Sequence, residues 1–166
     1  MRRVPGAAQM LAMHLARQTA TPALALCAML AALAPAQPAA AQHIDRQAAS
    51  FPLCGQAARV SCVVDGDTFW YRGDKIRIAD INTPETTRAG CPREAELGRA
   101  ATLRLQQLLA QGPFTLAPAP DGRDKDRYGR LLRTVTRSGR SLGDQLVQAG
   151  LAETWQGRRG DWCAAD

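Results

Sequence analysis

Between Ala58 and Ile81, short β-patterned runs alternate with turn residues at close intervals, and this spacing limits the fold more than any other feature of the chain. Residues 58–64 place Val60, Cys62 and Val64 on one predicted strand face by their period of two. Asp65-Gly66 marks a turn or bulge. Thr68–Tyr71 is β-branched and aromatic, Arg72-Gly73-Asp74 reads as a tight turn, and Lys75–Ile81 reads as a third strand. Together these runs predict a three-stranded meander.

Asn82–Pro92, rich in Thr, Pro and Gly, is expected to be loop. The best helix follows over Arg93–Gln111, with Leu97, Ala101, Leu105, Leu108 and Leu109 at helical spacing. Pro92 near its start, Glu94 and Glu96 in its first turn and Gly112 past its end are the expected punctuation. Phe114–Ala117 and Leu131–Thr136 supply a fourth and fifth strand, with a charged loop between them. A second helix is expected over Ser141–Gly150, where Ser141 and Asp144 resemble a capping box. Five strands with a helix after the third are the order of an OB-fold, a small five-stranded barrel with packed helices. A generic α+β sandwich is the alternative.

The first forty residues do not share this character. Arg2, Arg3 and Arg17 are the only charges before Asp45, an Ala- and Leu-rich run follows, and Pro38-Ala39-Ala40-Ala41 offers the small residues of a cleavage site. Residues 1–41 are therefore expected to be a signal peptide, and residues 42–166 one exported domain, periplasmic or secreted, with no stable membrane association after cleavage. Losing those three arginines would lower the formal charge from +6 to +3, so net charge alone does not argue for nucleic acid. The cations that remain are nearly all Arg, which suits two-pronged phosphate binding better than Lys does. Cys54, Cys62, Cys91 and Cys163 allow three pairings. Cys54–Cys62 with Cys91–Cys163 is favoured, the first closing a local loop and the second pinning the tail. With no C-x-x-C pair and two His in the chain, zinc is not expected. Nothing signals oligomerisation, so a monomer is expected.

Acids and cations cluster where the strands meet: Asp65, Asp67, Arg77, Asp80 and Glu85, with Arg130 further on. A hard cation on oxygen ligands can neutralise and orient a phosphodiester. Arginine makes two parallel bonds to phosphate oxygens and keeps its proton. The residue types thus suit metal-assisted phosphodiester cleavage. Asp121, Asp124 and Asp126 alternate with cations and are expected to form a solvated loop, since EF-hand spacing is absent.

Val64-Asp65-Gly66-Asp67-Thr68, Arg77, Thr83-Pro84-Glu85 and Asp126-Arg127-Tyr128-Gly129-Arg130 resemble, in order, the signature segments of the staphylococcal (thermo)nuclease-like family, over roughly Arg59–Ala152. The resemblance implies an OB-fold, Ca²⁺-dependent endonuclease acting on DNA and RNA, favouring flexible or single-stranded substrate and leaving 3′-phosphate ends. It implies Asp67, Asn82 and the Thr83 carbonyl as metal ligands, Glu85 as general base, Arg77 and Arg130 as the phosphate clamp, and Arg127 and Tyr128 as nucleotide contacts. One position departs: the family carries Asp where this chain has Asn82, so a weaker metal site, or one leaning on Asp65, Glu85 and water, is expected. The chain also stops soon after Ala152, where the family commonly adds a helix. Trp155, Trp162 and Cys163 are expected to staple the tail instead, with Arg158-Arg159 in a solvated turn, contact with nucleic acid being the alternative for that pair. The competing expectation is a catalytically silent OB module that binds nucleic acid or a protein partner.

Overall fold

The computed structural model describes residues 44–56 and 58–164. The expected signal peptide lies outside them. Eight strands and two helices are present among the described residues: β1 Cys62–Asp65, β2 Thr68–Tyr71, β3 Asp74–Ile78, β4 Ile81–Asn82, α1 Pro92–Ala110, β5 Thr115–Pro118, β6 Leu131–Arg137, β7 Arg140–Ser141, α2 Leu142–Gln148 and β8 Glu153–Thr154.

The meander forms as expected, β1 against β2 and β2 against β3, both antiparallel. The expected closed five-stranded barrel does not. The main sheet is open, in the order β1-β2-β3-β6-β5 with β7 on β6, and β4 pairs separately with β8. The third predicted strand breaks after Ile78, so Ile81 and Asn82 leave the main sheet and take the tail as partner. Between the two open edges runs the segment that precedes β1. Gln47 bridges to Phe114 just before β5, and Leu53 bridges to Val63 in β1. Phe51 anchors that segment at 3 % exposure, its ring centroid 5.8 Å from those of Phe69 and Phe114 and 6.0 Å from that of Tyr71. A single large aromatic in an otherwise polar stretch carries little periodic signal.

The single strand face expected for Val60, Cys62 and Val64 does not form, although Cys62 is buried. Val60 is 57 % exposed and precedes the strand, whereas Val63 is buried. The register shifts between Val63 and Asp65, and such a bulge breaks strict alternation. Cys54–Cys62 and Cys91–Cys163 are both bonded, as favoured.

Helix α1 begins where its sequence says, with Cys91 as N-cap and Pro92 in the first turn. It buries Ala101, Leu105, Leu108 and Leu109, in one core with Phe69, Ile76, Ile78, Phe114, Val135, Leu142 and Leu146. Ser141 caps α2, its hydroxyl accepting from the Asp144 N–H at 3.1 Å. Removing such a cap costs about 0.5–2 kcal/mol.

Candidate active site

The pairing of β3 with β6 is parallel, with Ile76 opposite Leu131 and Arg77 opposite Leu132. Arg130 directly precedes β6, so this ladder brings Arg77 and Arg130 beside one cleft. The cleft measures about 380 Å³ and is also lined by Asp65, Asp67, Glu85, Tyr128 and Arg159.

Asp67 sits at the turn between β1 and β2 and is 7 % exposed. One of its carboxylate oxygens accepts from the Thr83 N–H (3.1 Å), the Thr83 hydroxyl (3.0 Å) and the Arg77 guanidinium (2.8 Å); the other accepts from the Thr68 hydroxyl at 3.0 Å. A buried carboxylate satisfied by this many donors is held in one orientation. Gly66 makes the turn possible, because a Cβ there would lie 2.6 Å from the Ala101 Cβ and 2.9 Å from the Thr83 hydroxyl. Burial, together with the neighbouring Asp67 carboxylate, pushes the Asp65 carboxyl up to about 7.

Glu85 owes its place to α1. A Cβ on Gly98 would meet the Glu85 carbonyl oxygen at 2.6 Å, so helix and loop touch backbone to backbone. Glu94 reaches back from the first turn, its carboxylate accepting from the Glu85 N–H at 3.2 Å and from the Gly90 N–H at 2.6 Å. The Glu85 carboxylate forms an ion pair with Arg159 from the tail. Arg158-Arg159, expected in a solvated turn, therefore divides: Arg159 enters the cleft lining.

Arg130 is aimed by Asp126. The carboxylate takes the Arg130 Nε at 2.7 Å, and its other oxygen takes the backbone N–H groups of Tyr128 (2.9 Å) and Arg130 (3.0 Å). Burial raises the Asp126 carboxyl, but the hydrogen bonds from Arg130 and Tyr128 outweigh it, and the group is held below its ordinary value. The second Arg130 contact is with the Thr68 hydroxyl at 3.4 Å. Tyr128 is 68 % exposed, with the Arg127 and Arg130 guanidinium carbons 4.8 and 5.5 Å from its ring centroid, within cation–π range.

Of the residues expected to act, Asp67, Glu85, Arg77, Arg130 and Tyr128 line this cleft, and the buried Thr83 is bonded to Asp67. Arg127 and Asn82 line an adjoining cleft of about 480 Å³ that shares Arg77, Tyr128, Arg130 and Arg159. Asn82, in β4, is 3 % exposed and donates its amide N–H to Glu153 at 3.1 Å. Glu94 and Asp126 are participants to which the sequence assigned no role, and Arg159 was expected in a solvated turn with nucleic-acid contact as its alternative. Asp126 had a signal, since an Asp two residues before an exposed Tyr suits a turn that bonds its own backbone; Glu94 had none.

For a hard cation the donors are oxygen-rich: Asp65 stands beside Asp67, whose carboxylate is itself held by Arg77, Thr68 and Thr83. Among the described residues, no three His, Cys, Asp or Glu side chains come together to hold a metal ion by themselves. The Asp65–Asp67 pair therefore fits a cation that takes most of its oxygens from backbone, water and ligand.

Fold and cleft define a class: a small α+β domain that gathers fixed acids and arginines in one cleft. The chain belongs to the staphylococcal nuclease homologue family, whose pattern matches residues 75–162, just over half of its length. Asp65 and Asp67 lie upstream of that match. The chain is 37 % identical over 93 residues to the SPbeta prophage-derived endonuclease YokF of Bacillus subtilis (strain 168), covering 54 % of this chain and 31 % of that one. It is 34 % identical over 93 residues to endonuclease YncB of the same strain, covering 54 % of this chain and 43 % of that one. It is 30 % identical over 101 residues to the thermonuclease of Staphylococcus hyicus, covering 58 % of each. The chain thus spans less than two thirds of each of these relatives.

Proposed function

We propose that this protein is an exported, Ca²⁺-dependent endonuclease that hydrolyses phosphodiester bonds of DNA and RNA. The observation that carries the reading is the cleft itself: Asp65, Asp67, Glu85, Arg77 and Arg130 together line one opening. Two disulfides in a domain of this size fit an oxidising compartment and support export.

In this reading the substrate phosphate lies against Arg77 and Arg130, which stabilise the charge that grows on its oxygens as water attacks phosphorus. Removing one such donor commonly costs about 10²–10³ in rate. Glu85 takes the proton from the attacking water, its backbone braced by Glu94 and α1. Asp67 and Asp65, with the Thr83 carbonyl, would hold Ca²⁺, which supplies charge neutralisation and orients the nucleophile. Asn82 contributes no charge here, its amide being engaged with Glu153.

The test is incubation with DNA and with RNA, in Ca²⁺ or in chelator, for the wild type and Glu85→Gln. Calcium-dependent cleavage that the substitution abolishes is expected. Binding without cleavage by either protein would instead support a silent nucleic-acid-binding module.

A further inference from the structure

The tail does more than cover the fold. It is attached at three places: by Cys91–Cys163, by the β4–β8 ladder, and through Glu153. One Glu153 carboxylate oxygen accepts from the Asn82 amide at 3.1 Å and from the Gly160 N–H at 2.5 Å. A carboxylate only accepts, so the residue opposite it must donate; Asn can and Asp cannot. The chain's departure at Asn82 is thereby explained, because it secures the turn that carries Arg159. Gly160 leaves room for the contact, since a Cβ there would lie 2.1 Å from the Glu153 carboxylate.

That turn delivers a third arginine to a cleft that already holds Arg77 and Arg130. The other two are committed: Arg77 to Asp67 at 2.8 Å, with its side chain 13 % exposed, and Arg130 to Asp126 at 2.7 Å, 23 % exposed. The Arg159 side chain is 66 % exposed and, among the described residues, forms its one ion pair with the Glu85 carboxylate, itself 30 % exposed. An ion pair this open to water is weak and easily exchanged.

We propose that Arg159 is a substrate-binding arginine that rests on Glu85 in the free protein and transfers to a phosphate of an entering nucleic-acid strand, releasing Glu85. The proposal rests on the nuclease reading for the role of Glu85, but the phosphate contact can be measured apart from cleavage. A phosphate offers the same guanidinium a bidentate partner, and the exposed Glu85 pair that it replaces contributes little. The tail's attachments limit the search the side chain must make.

The experiment measures binding of a labelled single-stranded oligodeoxynucleotide in chelator across a range of salt. The proteins are wild type, Arg159→Ala, Cys91→Ser/Cys163→Ser, and Arg99→Ala as a charge control on the exposed side of α1. Loss of one phosphate contact lowers the slope of log K against log salt by about 0.7 for a single strand. Arg159→Ala is expected to show that loss and to bind roughly three- to tenfold more weakly at low salt. The double cysteine variant should move in the same direction, and Arg99→Ala should keep the wild-type slope. An unchanged slope in Arg159→Ala, or an equal loss in Arg99→Ala, overturns the inference. If the wild type binds with this pattern yet does not cleave with Ca²⁺, the nuclease reading fails and the Arg159 contact stands. If the wild type cleaves while Arg159→Ala keeps the slope, only the present inference fails. No binding by the wild type overturns the inference, while cleavage with Ca²⁺ decides the nuclease reading separately.

Discussion

Gly98→Ala isolates what α1 does for Glu85. In an exposed helix the change would stabilise by about 1 kcal/mol, because Gly has the higher backbone entropy to lose. Here the new Cβ would sit 2.6 Å from the Glu85 carbonyl oxygen, 2.8 Å from its carbon and 2.9 Å from the Pro84 oxygen. Ordinary contact begins near 3.4 Å, so helix and loop must separate by about 0.8 Å. Both partners are backbone and neither can rotate away. Overpacking of this kind costs about 1–3 kcal/mol, which cancels or exceeds the propensity gain. Net destabilisation of about 0–2 kcal/mol is expected by denaturant titration. Activity should suffer more. A displacement approaching 1 Å at a reacting group can cost about 10²-fold, so kcat/KM on a single-stranded oligonucleotide should fall roughly 10- to 100-fold. A Gly98→Ala protein that is both more stable and fully active would refute the argument that α1 positions Glu85 through this contact.

Asp126→Asn keeps the turn but removes the charge that aims Arg130, and kcat/KM should fall about tenfold, as for a misplaced clamp. The Asp126 carboxyl is held below its ordinary 3.8, so its stabilisation is present above that value and is lost as pH falls through the lowered one; the Asn variant should lack this acid-limb loss in a stability–pH profile. Asp80 has the opposite sign. Burial raises its carboxyl, Asp144 adds to this, and neither the Ser141 hydroxyl at 3.1 Å nor Arg77 offsets it. Its contribution is therefore present below 3.8 and lost as pH rises through the folded-state value, so Asp80→Asn should raise Tm at about pH 7 relative to about pH 4. Asn82→Asp sets a carboxylate against Glu153 and should destabilise by about 1–3 kcal/mol. Asn82→Asp/Glu153→Gln should recover most of that in chemical denaturation, and a neutral single variant would count against the tail linkage.

Local patterning determined a good deal of this protein. The β2 strand, the long helix with its Pro and Gly punctuation, and the Ser141 cap are consequences of side-chain stiffness, spacing and nearby donors, and they form where the sequence places them. The signature acids and arginines were legible for the same reason, as residue types whose chemistry suits phosphate. What the sequence could not display is which distant backbones meet. The parallel β3–β6 ladder, not any local signal, sets Arg77 beside Arg130. The separate β4–β8 pair follows from a strand that breaks after Ile78, and the segment before β1 joins the core through Phe51. Arg159 is the clearest case. In sequence it is one arginine in a polar, glycine-flanked turn, the commonest setting for a solvated charge. It reaches Glu85 because a disulfide, a two-residue ladder and one shared carboxylate oxygen hold the tail in place, and each of those joins residues about seventy positions apart.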